Sequence, residues 1–142
     1  MEYLVVDSSV AIKWFVNEPH SAEARRILNG YHAGTLGFLA PDLIYAEVGN
    51  IIWKKQRFQG LAVPDGQLIL DTFRTYAFTL TPTSVLLGDA YQLAVSHQRT
   101  VYDAMYLALS LRENRRMVTA DQRLFNAVAA MFPNLVWIGN WP

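Results

Sequence analysis

Residues 3–16 read YLVVDSSVAIKWFV. Tyr3–Val6 is a short apolar run rich in strand-forming side chains, and it ends on a lone carboxylate, Asp7. Ser8 or Ser9 can then cap a helix that runs through Val16. The same order returns late in the chain, in the MVTADQ of residues 117–122. There Met117–Thr119 is a strand and Asp121 opens a helix that continues to Phe132. In open α/β sheets, sites form beyond the carboxyl ends of the strands, and both acids fall at such an end.

Between these two stretches, strand and helix signals alternate. Pro19 opens the helical segment HSAEARRIL, closed by Asn29-Gly30. Leu36–Ala40 reads as a strand. Pro41-Asp42 then starts a helix with Leu43, Ala46, Glu47, Asn50, Ile51 and Lys54 at helical spacing, ended by Gly60. Pro64-Asp65 begins another helix to about Tyr76, and Phe78–Leu80 is a weak strand. Helices follow over Ser84–Gln98 and Val101–Asn114, and Leu135–Ile138 is the last strand. Short apolar strands alternating with helices predict an α/β fold with a mainly parallel sheet covered on both faces. No repeat, linker or low-complexity segment interrupts the pattern, so residues 1–142 are expected to form a single domain. A chain of this length buries roughly 70% of its unfolded surface.

Composition narrows the function. Lys plus Arg and Asp plus Glu balance at twelve each, which argues against an indiscriminate polyanion binder and makes any nucleic-acid contact local. The absence of cysteine excludes disulfides and thiolate zinc sites. His20, His32 and His97 are scattered without metal-ligand spacing and read as surface residues. The apolar stretch between Glu2 and Asp7 is too short for a secretory signal. The uncharged tract Leu124–Pro142 is broken by Asn126, Pro133, Asn134 and Gly139, so no membrane partner is expected. A cytoplasmic protein is expected.

Asp7, Glu47, Asp103 and Asp121 are each the only charge in an otherwise apolar or small-residue run: YLVVDSSVAI, LIYAEVGNIIW, TVYDAMYLALSL and MVTADQ. Such neighbours predict burial, and an unpaired buried carboxylate is costly. None of the runs holds a lysine or arginine, so a shared divalent cation is the economical compensation, and oxygen ligands suit Mg²⁺ or Mn²⁺. Local alternatives stay open. Asp7 and Asp121 both precede helices and can act as caps. Asp103 can complete a T-x-x-D capping box with Thr100, and Glu47 lies early in its helix, where the macrodipole favours a negative charge. A metal site of this kind would polarise a phosphoryl group and activate a water, with no protein nucleophile required. Thr119, two residues before Asp121, can hydrogen-bond such a water, or be merely a β-branched strand residue.

The set of Asp7 in VVDSSV, Glu47 in AEVGN, Asp103 in VYDAMYLALS and Asp121 in VTADQRL resembles the PIN domain, most closely the VapC-type toxins of prokaryotic toxin–antitoxin pairs. The likeness spans nearly the whole chain. It implies a three-layer α/β/α fold and a Mg²⁺- or Mn²⁺-dependent endoribonuclease. By position, Asp7, Glu47, Asp103 and Asp121 match the family's acidic quartet, with Asp7 and Asp103 nearest the metal. Asn50 matches a polar position and Thr119 a hydroxyl position. The resemblance also implies an RNA substrate, a small antitoxin that blocks the site, and a homodimer.

Candidate phosphate contacts are Lys13, the Lys54-Lys55-Arg57 group, and Arg112, Arg115 and Arg116. The last three can equally complement a helix C-terminus. Trp53 and Phe58 can stack on an unpaired base or pack in a core or interface. Trp14, Phe15 and Val16 can form an antitoxin surface or be buried. A second functional class is a catalytically silent PIN-like scaffold that binds RNA or a protein, separable by its metal affinity. Two-component receivers need a lysine on a late strand, and none follows Lys55. Haloacid-dehalogenase phosphatases need an aspartate where Ser9 stands.

Overall fold

A computed structural model describes all 142 residues, Met1–Pro142. Strands β1 (Glu2–Val6), β2 (Leu36–Pro41), β3 (Phe78–Thr81), β4 (Met117–Thr119) and β5 (Leu135–Trp137) form one sheet in the order β3-β2-β1-β4-β5. Every pairing is parallel. The helices are α1 (Ser8–Ala11), α2 (Ser21–His32), α3 (Leu43–Phe58), α4 (Val63–Phe73), α5 (Thr83–His97), α6 (Val101–Glu113) and α7 (Gln122–Val128).

Successive residues Leu4–Val6 and Met117–Thr119 are all buried, so the central strands are covered on both faces, as an unbroken apolar run requires. The chain moves outward from β1 through β2 to β3, then crosses back to β4 on the other side of β1. Because parallel crossovers are right-handed, this reversal places the helices before and after it on opposite faces. The result is the three-layer arrangement the resemblance implies. Helix α6 is its pivot. Ala104 through Ser110 are all buried, because α6 packs on β1, β2 and β4 while α5 covers its outer side. A helix buried all round is apolar all round. No helix is long and apolar enough to cross a membrane.

Three local departures from the sequence expectations have clear causes. The first helix does not stay α-helical to Val16; it tightens to a 3₁₀ turn over Ile12–Trp14. That turn drives Trp14 inward, where its Nε1–H donates to Ala24 O at 3.0 Å and its ring stacks on Phe38 at 5.2 Å. Phe15 stacks on Tyr76. The core has thus claimed Trp14, while Phe15 and Val16 stay half-buried against it. Helix α2 runs past Asn29-Gly30 to His32, and the turn falls at Gly34 (φ +77°), a backbone that favours glycine. Gly30 serves a close approach instead: a Cβ there would stand 2.8 Å from Leu36 Cδ1. Finally, Asp42 does not cap α3; its carboxylate accepts the Thr83 N–H at 3.0 Å.

Candidate active site

The order in which the strands are laid down reverses between β1 and β4, and in open α/β sheets ligands bind at such a point, beyond the strands' carboxyl ends. Val6 pairs with Val118 across these strands, so the next residues, Asp7 and Thr119, come side by side. Thr119 Oγ1 donates to Asp7 Oδ2 at 2.8 Å and accepts the Asp121 N–H at 3.1 Å. One hydroxyl thereby positions two of the acids. Ser9 Oγ accepts the Ala120 N–H at 3.0 Å and ties the two strand ends together a second time.

The cap and site readings of Asp7 and Asp121 prove compatible. Asp7 Oδ1 accepts the Ser9 N–H at 2.9 Å and caps α1, while its other oxygen faces Thr119. Asp121 Oδ1 accepts the Leu124 N–H at 3.1 Å and caps α7. Each acid uses one oxygen to start its helix. Asp103 stands in the first turn of α6, where its N–H donates to Thr100 Oγ1 at 3.1 Å. Only this half of the T-x-x-D box forms, so the Asp103 carboxylate accepts no backbone N–H. Glu47 lies in the second turn of α3, and its Oε1 accepts the Tyr106 hydroxyl at 2.6 Å.

Like charges gathered at one edge raise one another's pKa, and burial adds to this. Burial pushes Asp7 above the usual carboxylate range, against hydrogen bonds from Ser9 and Thr119, and the Asp121 charge pushes the same way. Burial also pushes Glu47 up to about 6, opposed by the Tyr106 bond and assisted by Asp7 and Asp103. Asp103 rises to about 6 through burial, then through the charges of Asp7 and Asp121, with Arg99 offsetting part. Burial and the neighbouring Asp7 and Glu47 push the Tyr106 phenol far up, so it stays protonated and donates. The charge of Asp7 thus reaches Glu47 and Asp103, and that of Asp121 reaches Asp7 and Asp103.

No three of these carboxylates converge closely enough to hold an ion by themselves. Mg²⁺ does not need three; it is usually bound through one or two carboxylates and keeps several waters. The donors are all hard oxygens, with no thiolate in the chain and no imidazole acting on them. This chemistry fits a hydrated hard divalent cation.

Asn50, one turn after Glu47 on α3, is exposed. It shares an open pocket of about 330 Å³ with Leu43, Ala46, Glu47 and Tyr102. The expected phosphate contacts fare unevenly. Lys13 is buried and pairs with Glu18 at 3.1 Å, and Lys55 reaches the same carboxylate at 3.4 Å. Arg116 pairs with Glu2 at 2.7 Å and lies over Trp141, and Arg115 lies over Tyr3. Lys54, Arg57 and Arg112 stay exposed without a carboxylate partner. Trp53 and Phe58 are 52% and 68% exposed and meet edge to face, so neither belongs to the core. Tyr106 and the Ser9 hydroxyl are the contributors that sequence reasoning misses. Tyr106 had a signal: three residues after Asp103, it shares that acid's helix face.

Residues 4–131 match the PIN domain family. The chain is 34% identical to the ribonuclease VapC3 of Pyrobaculum aerophilum over 94% of its own length and 97% of the relative's. Among solved structures it resembles PAE2754, also from Pyrobaculum aerophilum, at 23% identity and a TM-score of 0.69, over 98% of this chain and 85% of that one. It likewise resembles a chain of a toxin–antitoxin complex from Klebsiella pneumoniae, at 18% identity and a TM-score of 0.59, covering 94% and 95%. These two structural likenesses concern the fold.

Proposed function

The chain belongs to the PIN-domain family, and from that membership we propose that it is a divalent-metal-dependent endoribonuclease, the toxin of a toxin–antitoxin pair. The observation that carries this reading is the meeting of Asp7 and Asp121 on the Thr119 hydroxyl at the carboxyl edge of β1 and β4, with Glu47 and Asp103 near enough to feel the Asp7 charge. The 34% identity to a protein named a ribonuclease supports it.

Asp7, Asp103, Asp121 and Glu47 would hold Mg²⁺ or Mn²⁺, directly or through waters. A cation bound there supplies Lewis-acid polarisation of the phosphoryl oxygen and a water of lowered pKa. The chain's own residues do the rest. Thr119 and Ser9 fix Asp7 through its two oxygens, so its direction is set before substrate arrives. The α7 N-terminus holds Asp121 through Leu124 N–H. Asn50 offers an amide to RNA in the pocket beside Glu47. Of the cations expected to meet RNA, Lys54, Arg57 and Arg112 are left free for the phosphate backbone.

The substrate is RNA and the chain forms a single nuclease domain, a reading supported by one contiguous core of 33 buried residues. A small antitoxin is the partner, supported by the toxin–antitoxin complex among the structural likenesses. Two copies pair, supported by the exposed apolar stripe of Leu87, Tyr91 and Val95 along α5. Purified protein is expected to cleave single-stranded RNA with Mg²⁺ or Mn²⁺ and to stop on chelation. Undiminished cleavage by metal-free protein in excess chelator would sink the reading.

A further inference from the structure

Glu47 and Tyr106 come from α3 and α6, 59 residues apart in sequence, and meet at 2.6 Å. That length is typical of a charge-assisted O–H···O⁻ bond. Tyr106 is 1% exposed, so its hydroxyl has no water to turn to, and its ring is packed in the core among α6's buried residues. Asp103 lies one helical turn before it on the same helix. Tyr106 takes one Glu47 oxygen, Oε1, and the Ser8 hydroxyl lies near enough to act on the same carboxylate.

We propose that Tyr106 is a positioning residue for the cation site, holding the Glu47 carboxylate against α6 with one oxygen engaged and the other presented beside Asp103. This rests on the metal-site reading above. The physical reason is rotamer freedom. An unrestrained glutamate must be ordered when it binds, and that ordering weakens binding. A hydroxyl fixed in the core orders Glu47 in advance. It also fixes the spacing between an acid on α3 and one on α6, two elements that do not pack closely on each other elsewhere in this region. Partners that orient a metal-binding side chain commonly change affinity or activity by about 10- to 100-fold when removed.

The test is Mn²⁺ binding, followed by electron paramagnetic resonance of the free ion without RNA. Four proteins are compared: the parent, Tyr106→Phe, Glu47→Ala and the double variant. Tyr106→Phe keeps the ring in the core, so folding is expected to survive, and a thermal scan checks it. The expected result is roughly tenfold or greater weakening of Mn²⁺ binding in Tyr106→Phe, with no further weakening when the same change is made in Glu47→Ala. Tyr106→Phe binding Mn²⁺ as the parent does overturns the assignment alone. So does an equal loss in both backgrounds, which marks a general disturbance of the core. A parent that binds no Mn²⁺ overturns the metal reading, and this assignment with it.

Discussion

Thr119 Oγ1 donates to Asp7 Oδ2 across the β1–β4 pair at 2.8 Å, joining residues 112 apart in the chain. Thr119 is fully buried and Asp7 nearly so, so neither can exchange this bond for water. The same oxygen accepts the Asp121 N–H, and a single side chain therefore holds the geometry of both strand-end acids.

Thr119→Val preserves the shape of the side chain and removes the hydroxyl. It leaves a buried carboxylate oxygen and a backbone N–H without partners, each costing about 1–3 kcal/mol. Urea unfolding should show a loss of about 2 kcal/mol or more, and RNA cleavage should fall, while Thr119→Ser keeps most of both. Equal stability of Thr119→Val and the parent would show that the bridge is not formed in solution.

Asp7→Asn and Asp103→Asn should each reduce RNA cleavage about a hundredfold or more, because a metal site supplies several kcal/mol to the transition state. Asparagine caps helices nearly as well as aspartate, so Asp7→Asn should still start α1. Circular dichroism and a cleavage assay on the same preparation check both halves. Full activity in either variant returns that acid to a purely structural role.

The metal-free protein should be more stable in mild acid than at neutrality. Asp103 and Glu47 are raised to about 6 in the folded state, from 3.8 and 4.5, and Asp7 is raised as well. Between these limits the folded state binds more protons than the unfolded one, so stability falls as pH rises. The favourable contribution is complete below about pH 4 and lost as pH passes about 6. Denaturation midpoints measured in chelator across this window should decline, and a flat or rising profile would count against the acid cluster.

Removing one like charge should relieve the cluster directly. In chelator at pH 7, Asp103→Asn should be more stable than the parent by about 1 kcal/mol, allowing for solvent screening of a partly exposed group. That corresponds to roughly 2–4 °C in melting temperature. Mg²⁺ should raise the parent's melting temperature through ligand linkage and do so much less for the variant. A variant that melts lower, with an unchanged Mg²⁺ response, removes Asp103 from a shared site.

Glu18 holds two lysines, and Lys13 is almost fully enclosed, its side chain only 11% exposed. Glu18→Ala should cost about 3 kcal/mol by leaving that buried ammonium unpaired, whereas Lys13→Met should be close to neutral. The unfolding free energies of the two variants decide. Comparable losses in both would mean that the pair contributes more than the compensation of its own burial.

Much of this protein is legible along the chain because the relevant physics is local. Strand and helix periods, the capping positions of Asp7 and Asp121, and the solitary acids in apolar runs all depend on near neighbours. The order of elements and the α/β character follow from them, and the motifs around Asp103 and Asp121 carry the family resemblance.

What the sequence could not decide were contacts between distant segments. Lys55 reads as a free cation until the fold brings it against Glu18, 37 residues earlier and already paired with Lys13. Trp14 reads equally as docking surface or core until a 3₁₀ turn and Phe38 of β2 place it inside. Tyr106 is one more apolar-face residue of α6 until Glu47 arrives from α3. Chain neighbours set a residue's local conformation, but burial and pairing are set by which strands lie side by side. The β3-β2-β1-β4-β5 order alone decided that Asp7 would meet Thr119.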